Sequence, residues 1–82
     1  MNNRQIFEEL RTIVNSINAG AGINKNTALI GESVLDSLEF MNYITRVEEM
    51  FEITISDQEI ADQKLEILIN MVIHISSKIN KN

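Results

Sequence analysis

The chain has 82 residues, 44% of them apolar and 23% charged, which is the composition of one small globular domain. It has no cysteine, which excludes a disulfide framework, and no apolar run approaches the ~18 residues of a membrane span. The net charge is -5, and residues 32–66 hold ten acids against two bases, Arg46 and Lys64. That segment repels nucleic acid and favours a basic protein partner, although a merely solvated face is the simpler interpretation. The N-terminus shows no signal-peptide core, so we expect a cytoplasmic location. We also expect a monomer.

The first predicted helix covers Asn3–Ile17, with Asn2 or Asn3 as its N-cap. Its apolar residues recur at the three- and four-residue steps of one helical face: Ile6, Leu10, Ile13, Val14 and Ile17. The pattern lapses over residues 18–34, which contain all three glycines and predict a long loop. A short turn is expected at residues 27–30, because loops of this length are usually functional or partly structured.

The second predicted helix covers Ser37–Phe51, and Asp36 with Glu39 gives it a capping box. The predicted core face consists of Leu38, Met41, Ile44, Val47 (or Tyr43) and Phe51. The predicted outer face consists of Glu39, Asn42, Arg46 and Glu49. Met41, Met50 and Met71 are soft, adaptable side chains that we expect near the core.

Residues 52–55 predict an extended connector that places Ile53 or Ile55 in the core, since they are too short and isolated for a sheet. Ser56 and Glu59 form a second capping box and predict a short helix that ends near residues 62–63. The last helix is predicted over residues 65–78, with Lys78 and Lys81 near its C-terminal end. Its core face consists of Leu68, Met71, Val72, Ile75 and Ile79. The four predicted helices together predict an all-α four-helix bundle in one domain, residues 1–82.

Few residues offer catalytic chemistry. His74 is the only histidine, and its position beside a core face is typical of a boundary residue rather than of a triad. Ser37 is the exception, because an anionic ester at a helix N-terminus would meet unpaired N–H groups and the positive end of the helix dipole. Its local pattern alone, however, favours a simple helix cap.

The sequence of residues 29–55 indicates that Ser37 does more than cap a helix. Asp36, Ser37 and Leu38 form an Asp-Ser-Leu motif. The helix that follows ends in an apolar residue, Glu-Glu-x-Phe and an apolar connector: Val47, Glu48, Glu49, Phe51, Ile53 and Ile55. In its motif, spacing, size and acidity, nearly the whole chain resembles the acyl carrier and peptidyl carrier protein family.

The resemblance implies that Ser37 is esterified with 4'-phosphopantetheine by a phosphopantetheinyl transferase that uses coenzyme A, and that Asp36 and Leu38 flank this site. The arm would then hold an acyl or aminoacyl group as a thioester, and the core near the three methionines named above could open to shelter a short acyl chain. A loading ligase would supply that group, downstream acyl-processing enzymes would use it, and the carrier itself would catalyse nothing. The predicted partner-binding surface consists of Glu39, Met41, Asn42, Arg46, Glu48 and Glu49, with Leu38 adding apolar contact.

Val34 and Leu35 resemble the stand-alone carriers of the D-alanyl, peptidyl or specialised-pathway kind. Asn42 and Arg46 argue against docking to fatty-acid synthase enzymes. Val34 stands where many fatty-acid carriers have glycine, Asn42 stands where they often have a recognition glutamate, and Arg46 adds a positive charge. The alternative is an unmodified acidic helical adaptor that binds a basic partner. A hydrolase that depends on His74 is a third and weaker interpretation.

Overall fold

The computed structural model describes residues 1–80, so the predicted role of Lys81 at the end of the last helix lies outside the described residues. Four helices follow in order: α1 Asn3–Ile17, α2 Ser37–Phe51, α3 Asp57–Asp62 and α4 Leu68–Ile79. Within residues 1–80, the only β pairing is an isolated bridge between Ala28 and Ile67. The all-α class is therefore confirmed, and none of the described helices is long and apolar enough to cross a membrane.

Three helices begin at reciprocal capping boxes, which fixes their N-termini at the predicted residues. Asn2 caps α1 with Gln5 as its partner, and the Asp36 and Ser56 boxes open α2 and α3 as expected. Each box satisfies two backbone N–H groups that the first turn of a helix leaves unpaired. The α2 boundary matters most, because it places Ser37 at the first helical position.

The predicted start of the last helix at residue 65 is wrong by three residues. Lys64 has a positive φ of 51°, and no capping side chain precedes α4. The long first loop supplies the missing acceptors instead, since Leu68 N–H donates to the Thr27 carbonyl at 3.1 Å and Ile69 N–H donates to the Lys25 carbonyl at 2.8 Å. Leu65 is fully buried without being helical, which explains why the apolar spacing favoured an earlier start.

The first loop is ordered by hydrogen bonds rather than by regular structure. Leu29 N–H donates to the Glu66 carbonyl, and Gly31 N–H donates to Glu66 Oε2 at 3.0 Å. The expected turn at residues 27–30 instead covers residues 29–33, where Ser33 has a positive φ of 58°. These contacts fix the end of the loop that leads into α2.

The core contains seventeen buried apolar side chains: Ile6, Leu10, Ile13, Val14, Leu29, Leu35, Phe40, Tyr43, Ile44, Val47, Phe51, Ile55, Leu65, Leu68, Met71, Val72 and Ile75. α1 packs against both α2 and α4. The predicted core faces of α1 and α4 are confirmed except that Ile17 and Ile79 are only half-buried, and Ile55 is the connector residue that enters the core.

The predicted core face of α2 is wrong at two positions. Leu38 is 84% exposed and Met41 is 47% exposed, whereas Phe40 and Tyr43 are buried. The apolar residues of the first two turns cover more than one face, so their three-residue spacing also fitted the wrong side of the helix. Met50 is likewise half-exposed, and of the three methionines expected near the core only Met71 lies in it.

Candidate functional site

Ser37 is exposed at the first residue of α2 and is not the residue that caps the helix. Asp36 Oδ1 accepts from Glu39 N–H at 2.8 Å, and Glu39 Oε1 accepts from Asp36 N–H at 2.9 Å. The Ser37 hydroxyl makes no hydrogen bond to any atom of residues 1–80. The interpretation of Ser37 as a structural cap therefore does not apply, because Asp36 performs that role alone.

Buried side chains and backbone hydrogen bonds on both sides of Ser37 fix the first turn of α2. Leu35 is buried two residues before the serine, and its N–H donates to the Leu29 carbonyl at 3.0 Å. Phe40 is buried three residues after the serine. Asn18 at the end of α1 donates from Nδ2 to the Val34 carbonyl at 2.8 Å. Ser37 and Leu38 thus project into solvent from a rigid support rather than from a flexible loop.

The exposed side of α2 combines apolar and polar side chains. Five exposed residues occupy positions i, i+3, i+4, i+7 and i+11 of α2 and form one stripe that we call the α2 stripe: Leu38, Met41, Asn42, Thr45 and Glu49. Such a stripe offers an apolar end beside Ser37 and an acidic end one helix length away. This mixture is suited to transient contact with a protein that carries basic groups.

Besides Glu39, which belongs to the capping box, two residues of the predicted partner-binding surface make side-chain contacts within the chain. Glu48 Oε2 accepts from Ile55 N–H at 2.8 Å and so ties the end of α2 to the connector. Arg46 donates to Ser16 Oγ and borders a cleft between α1 and α2 that also contains Glu49 and Met50. Docking through these side chains stays a prediction, and each has a structural role as well.

A charged cluster joins α3, the connector and α4, and no local pattern in the sequence indicated it. Glu59 Oε2 lies 2.6 Å from His74 Nε2 and 2.9 Å from Lys78 Nζ, and Lys78 also donates to the Thr54 carbonyl at 2.9 Å. The hydrogen bonds from Lys78 and His74 lower the pKa of Glu59 to about 2. These residues tie α3 and the connector to α4, and His74 occupies the boundary position that the sequence predicted.

The described residues hold no group of three acidic or histidine side chains that could bind a metal ion. Tyr43 is the one aromatic hydroxyl, and burial raises the pKa of this phenol far above its ordinary value. Tyr43 Oη has no hydrogen-bond partner among residues 1–80 and is enclosed by the core, so it is not placed to act on a ligand. No protein family, curated protein or solved structure matches the chain.

Proposed function

We propose that the protein is an acyl or aminoacyl carrier that bears 4'-phosphopantetheine on Ser37. It would shuttle a thioester-bound intermediate between partner enzymes of a specialised pathway. One observation carries the proposal above all. Ser37 is exposed at the mouth of α2 with a free hydroxyl, while Asp36 alone caps the helix. Esterification of Ser37 Oγ would therefore break no contact of the fold.

The backbone around Ser37 suits the charge of the proposed ester. The N–H groups of Ser37 and Leu38 have no acceptor within residues 1–80, because the Asp36 side chain pairs only with the third residue of the helix. A phosphodiester has a single negative charge, which the free N–H groups and the N-terminal end of the helix dipole would stabilise. When attached, the group supplies the thiol that this cysteine-free chain lacks.

Partner enzymes would dock on the α2 stripe beside the attachment site. Leu38 exposes 84% of its surface and takes no part in the core. An exposed leucine next to the modified serine would pack into an apolar pocket of the partner, while Glu49 would face basic groups. Such an interface is small, so we expect fast and salt-sensitive binding.

Intact-mass measurement tests the attachment. The chain is incubated with coenzyme A and a broad-specificity phosphopantetheinyl transferase. We expect a mass gain of one phosphopantetheine in the wild-type chain and none in Ser37→Ala. Ser56→Ala is a matched control, since Ser56 also stands at a helix mouth but its hydroxyl accepts from Glu59 N–H. An unmodified wild-type chain, or an equal gain in Ser37→Ala, would reject the proposal.

A second candidate function is favoured by the same exposed Leu38 and Met41. The chain would be an unmodified adaptor whose acidic helix binds a basic protein. In cells that lack the chain, the adaptor predicts rescue by Ser37→Ala and none by Glu49→Lys, whereas the carrier predicts no rescue by Ser37→Ala. Glu49 is the better position for charge reversal, because a change at Glu48 would also remove the acceptor of Ile55 N–H.

Glu48 and Glu49 can be separated by their effects on stability. We expect Glu48→Ala to lower the free energy of unfolding by about 1 kcal/mol, since a partly buried N–H loses its acceptor. Glu49→Ala should change it by less than about 0.5 kcal/mol, because Glu49 is exposed and unpaired within residues 1–80. Urea unfolding of both variants measures the difference, and equal losses would contradict the assigned contact.

A further inference from the structure

A second surface feature lies away from Ser37, between the first half of α1, the first loop and the start of α4. It is a cleft of about 360 Å³ whose walls are mainly apolar. Phe7, Ile23 and Ile69 are half-buried along it, and Val72 closes it from the core side. The volume lies at the lower end of the range typical of small-molecule pockets.

The rim of this cleft is basic, although the chain as a whole is acidic. Arg4, Arg11 and Lys25 line it, and they are three of the seven lysines and arginines in the chain. Arg4 and Lys25 form no ion pair within residues 1–80. The Arg11 guanidinium lies 5.4 Å from the centre of the Phe7 ring. Its ion pair with Glu8 is long, at 3.9 Å, and solvent-exposed, so the pair is weak. Three cations are therefore available to an anion at the mouth of an apolar cleft.

The cleft is separate from the proposed attachment site. Asn18, at the end of α1, contacts Val34 beside the start of α2. The last cleft residue on α1 is Arg11, about 10 Å before Asn18 along the helix axis. Ser37 belongs to the acidic segment 32–66, whereas the residues that line the cleft belong to the basic flanks of the chain. The three cations of the cleft therefore attract a free anion more strongly than the acidic segment does.

We propose that this cleft binds a free single-chain amphiphile with an anionic head, namely the carboxylate of a medium-chain fatty acid. The apolar walls take the alkyl chain, and Arg4, Arg11 and Lys25 take the carboxylate. The apolar side chains are half-buried or buried while the cationic ones are exposed, which suits a single inserted chain better than the surface of a bilayer. A protein interface would cover about 800 Å² on each partner, and a cleft of this size offers too little apolar area for that.

The test uses the Ser37→Ala chain, so that its outcome does not depend on the proposed modification. Decanoate is titrated below its micelle concentration while the backbone amide signals are followed by NMR. We expect saturable shifts centred on residues 4–11, 23–25 and 69–72. Octanoate should bind more weakly, by up to about four-fold for each buried methylene that it lacks. Decyltrimethylammonium, with an equal chain and the opposite charge, should cause no saturable shift at these residues.

Charge variants separate specific binding from general adhesion of an alkyl chain. The double variant Arg4→Gln and Lys25→Gln should weaken decanoate binding about five-fold without loss of the folded spectrum, since both side chains are exposed. Lys64→Gln is the control, because Lys64 is an exposed cation outside the cleft. Equal binding of the cationic amphiphile, shifts centred on α2, or an unchanged affinity in the double variant would overturn the proposal. Binding to anionic lipid vesicles without any response to decanoate would overturn it as well.

Discussion

Asp36 and Glu39 exchange two hydrogen bonds at the mouth of α2, each side chain accepting from the other residue's backbone N–H, at 2.8 and 2.9 Å. The exchange leaves Ser37, which lies between them in sequence, without a structural task. It also fixes the first turn from which Ser37 and Leu38 project. The fold thus separates the residue that stabilises the helix from the residue proposed to be modified.

Substitution of the two neighbouring residues should show this separation directly. We expect Asp36→Ala to lower the free energy of unfolding by about 1 kcal/mol, because a helix loses its N-cap. Ser37→Ala should change it by less than about 0.5 kcal/mol, since the exposed hydroxyl has no partner within residues 1–80. Thermal unfolding measures both values. A larger loss for Ser37→Ala than for Asp36→Ala would show that the serine is a structural cap.

Leu38 should contribute to partner binding and not to folding. Leu38→Ala is expected to leave the unfolding temperature nearly unchanged, because the side chain is 84% exposed. It should slow phosphopantetheine transfer to Ser37 about ten-fold, as loss of an apolar anchor at an interface does. Met50→Ala is the matched control: Met50 is exposed on the same helix, but it lines the cleft beside α1. Equal transfer rates in the two variants would contradict docking through Leu38.

The buried hydroxyl of Tyr43 predicts a stabilising substitution. Tyr43→Phe should raise the free energy of unfolding by about 1 kcal/mol, since it removes a buried polar atom that has no partner within residues 1–80. Its ring packs against Phe40 at 5.7 Å between centroids, and that contact is retained in phenylalanine. Urea unfolding measures the change. A loss of stability would mean that the hydroxyl is satisfied in solution.

The same tyrosine predicts how the fold responds to alkali. Burial raises the pKa of Tyr43 in the folded chain, so the folded state holds its proton where the unfolded state has lost it. Stability is therefore fully present below the unfolded pKa of about 10 and falls as the pH rises beyond it. Tyr43 is the only tyrosine, which makes tyrosinate absorbance a clean measure. We expect that absorbance to rise together with unfolding, and a rise in the folded chain near pH 10 would contradict burial.

The ion pairs of Glu59 predict a loss of stability in acid. Hydrogen bonds from Lys78 and then His74 lower its pKa to about 2, so the contribution is present above the ordinary value of 4.5 and is lost between there and about 2. Glu59→Gln should lower the free energy of unfolding by about 1 kcal/mol at pH 6 and by nearly nothing at pH 2. Glutamine keeps an acceptor for the capping box with Ser56. The control is Glu49→Gln, and a pH-independent difference for Glu59→Gln would contradict the ion pairs.

The starts of α2 and α3 were predicted well, because each depends on a capping box between residues that are close in the sequence. Asp36 with Glu39 and Ser56 with Glu59 lie three residues apart, and both boundaries are confirmed. The start of α4 was predicted wrongly because its capping groups are the carbonyls of Lys25 and Thr27, about forty residues earlier in the chain. No local pattern encodes such a contact.

The candidate site shows the same division between local and distant information. The motif around Ser37 and the capping role of Asp36 could be predicted from neighbouring residues. Leu38 was predicted to lie in the core, but it is exposed. Phe40 and Tyr43 occupy the core instead, and only tertiary packing decides which of these apolar residues is buried. The basic cleft had a partial signal in Arg4, Phe7 and Arg11, which share one face of α1, but Lys25 joins them only through the fold.

Site mapping of the modified chain tests the central proposal most directly. After reaction with coenzyme A and the transferase, trypsin would release residues 26–46, which contain Ser37, apart from residues 47–64, which contain Ser56. Fragmentation of the first peptide separates Ser37 from Ser33. We predict phosphopantetheine on Ser37 alone. An unmodified peptide 26–46, or a modification on Ser33 or Ser56, would contradict the proposed carrier function.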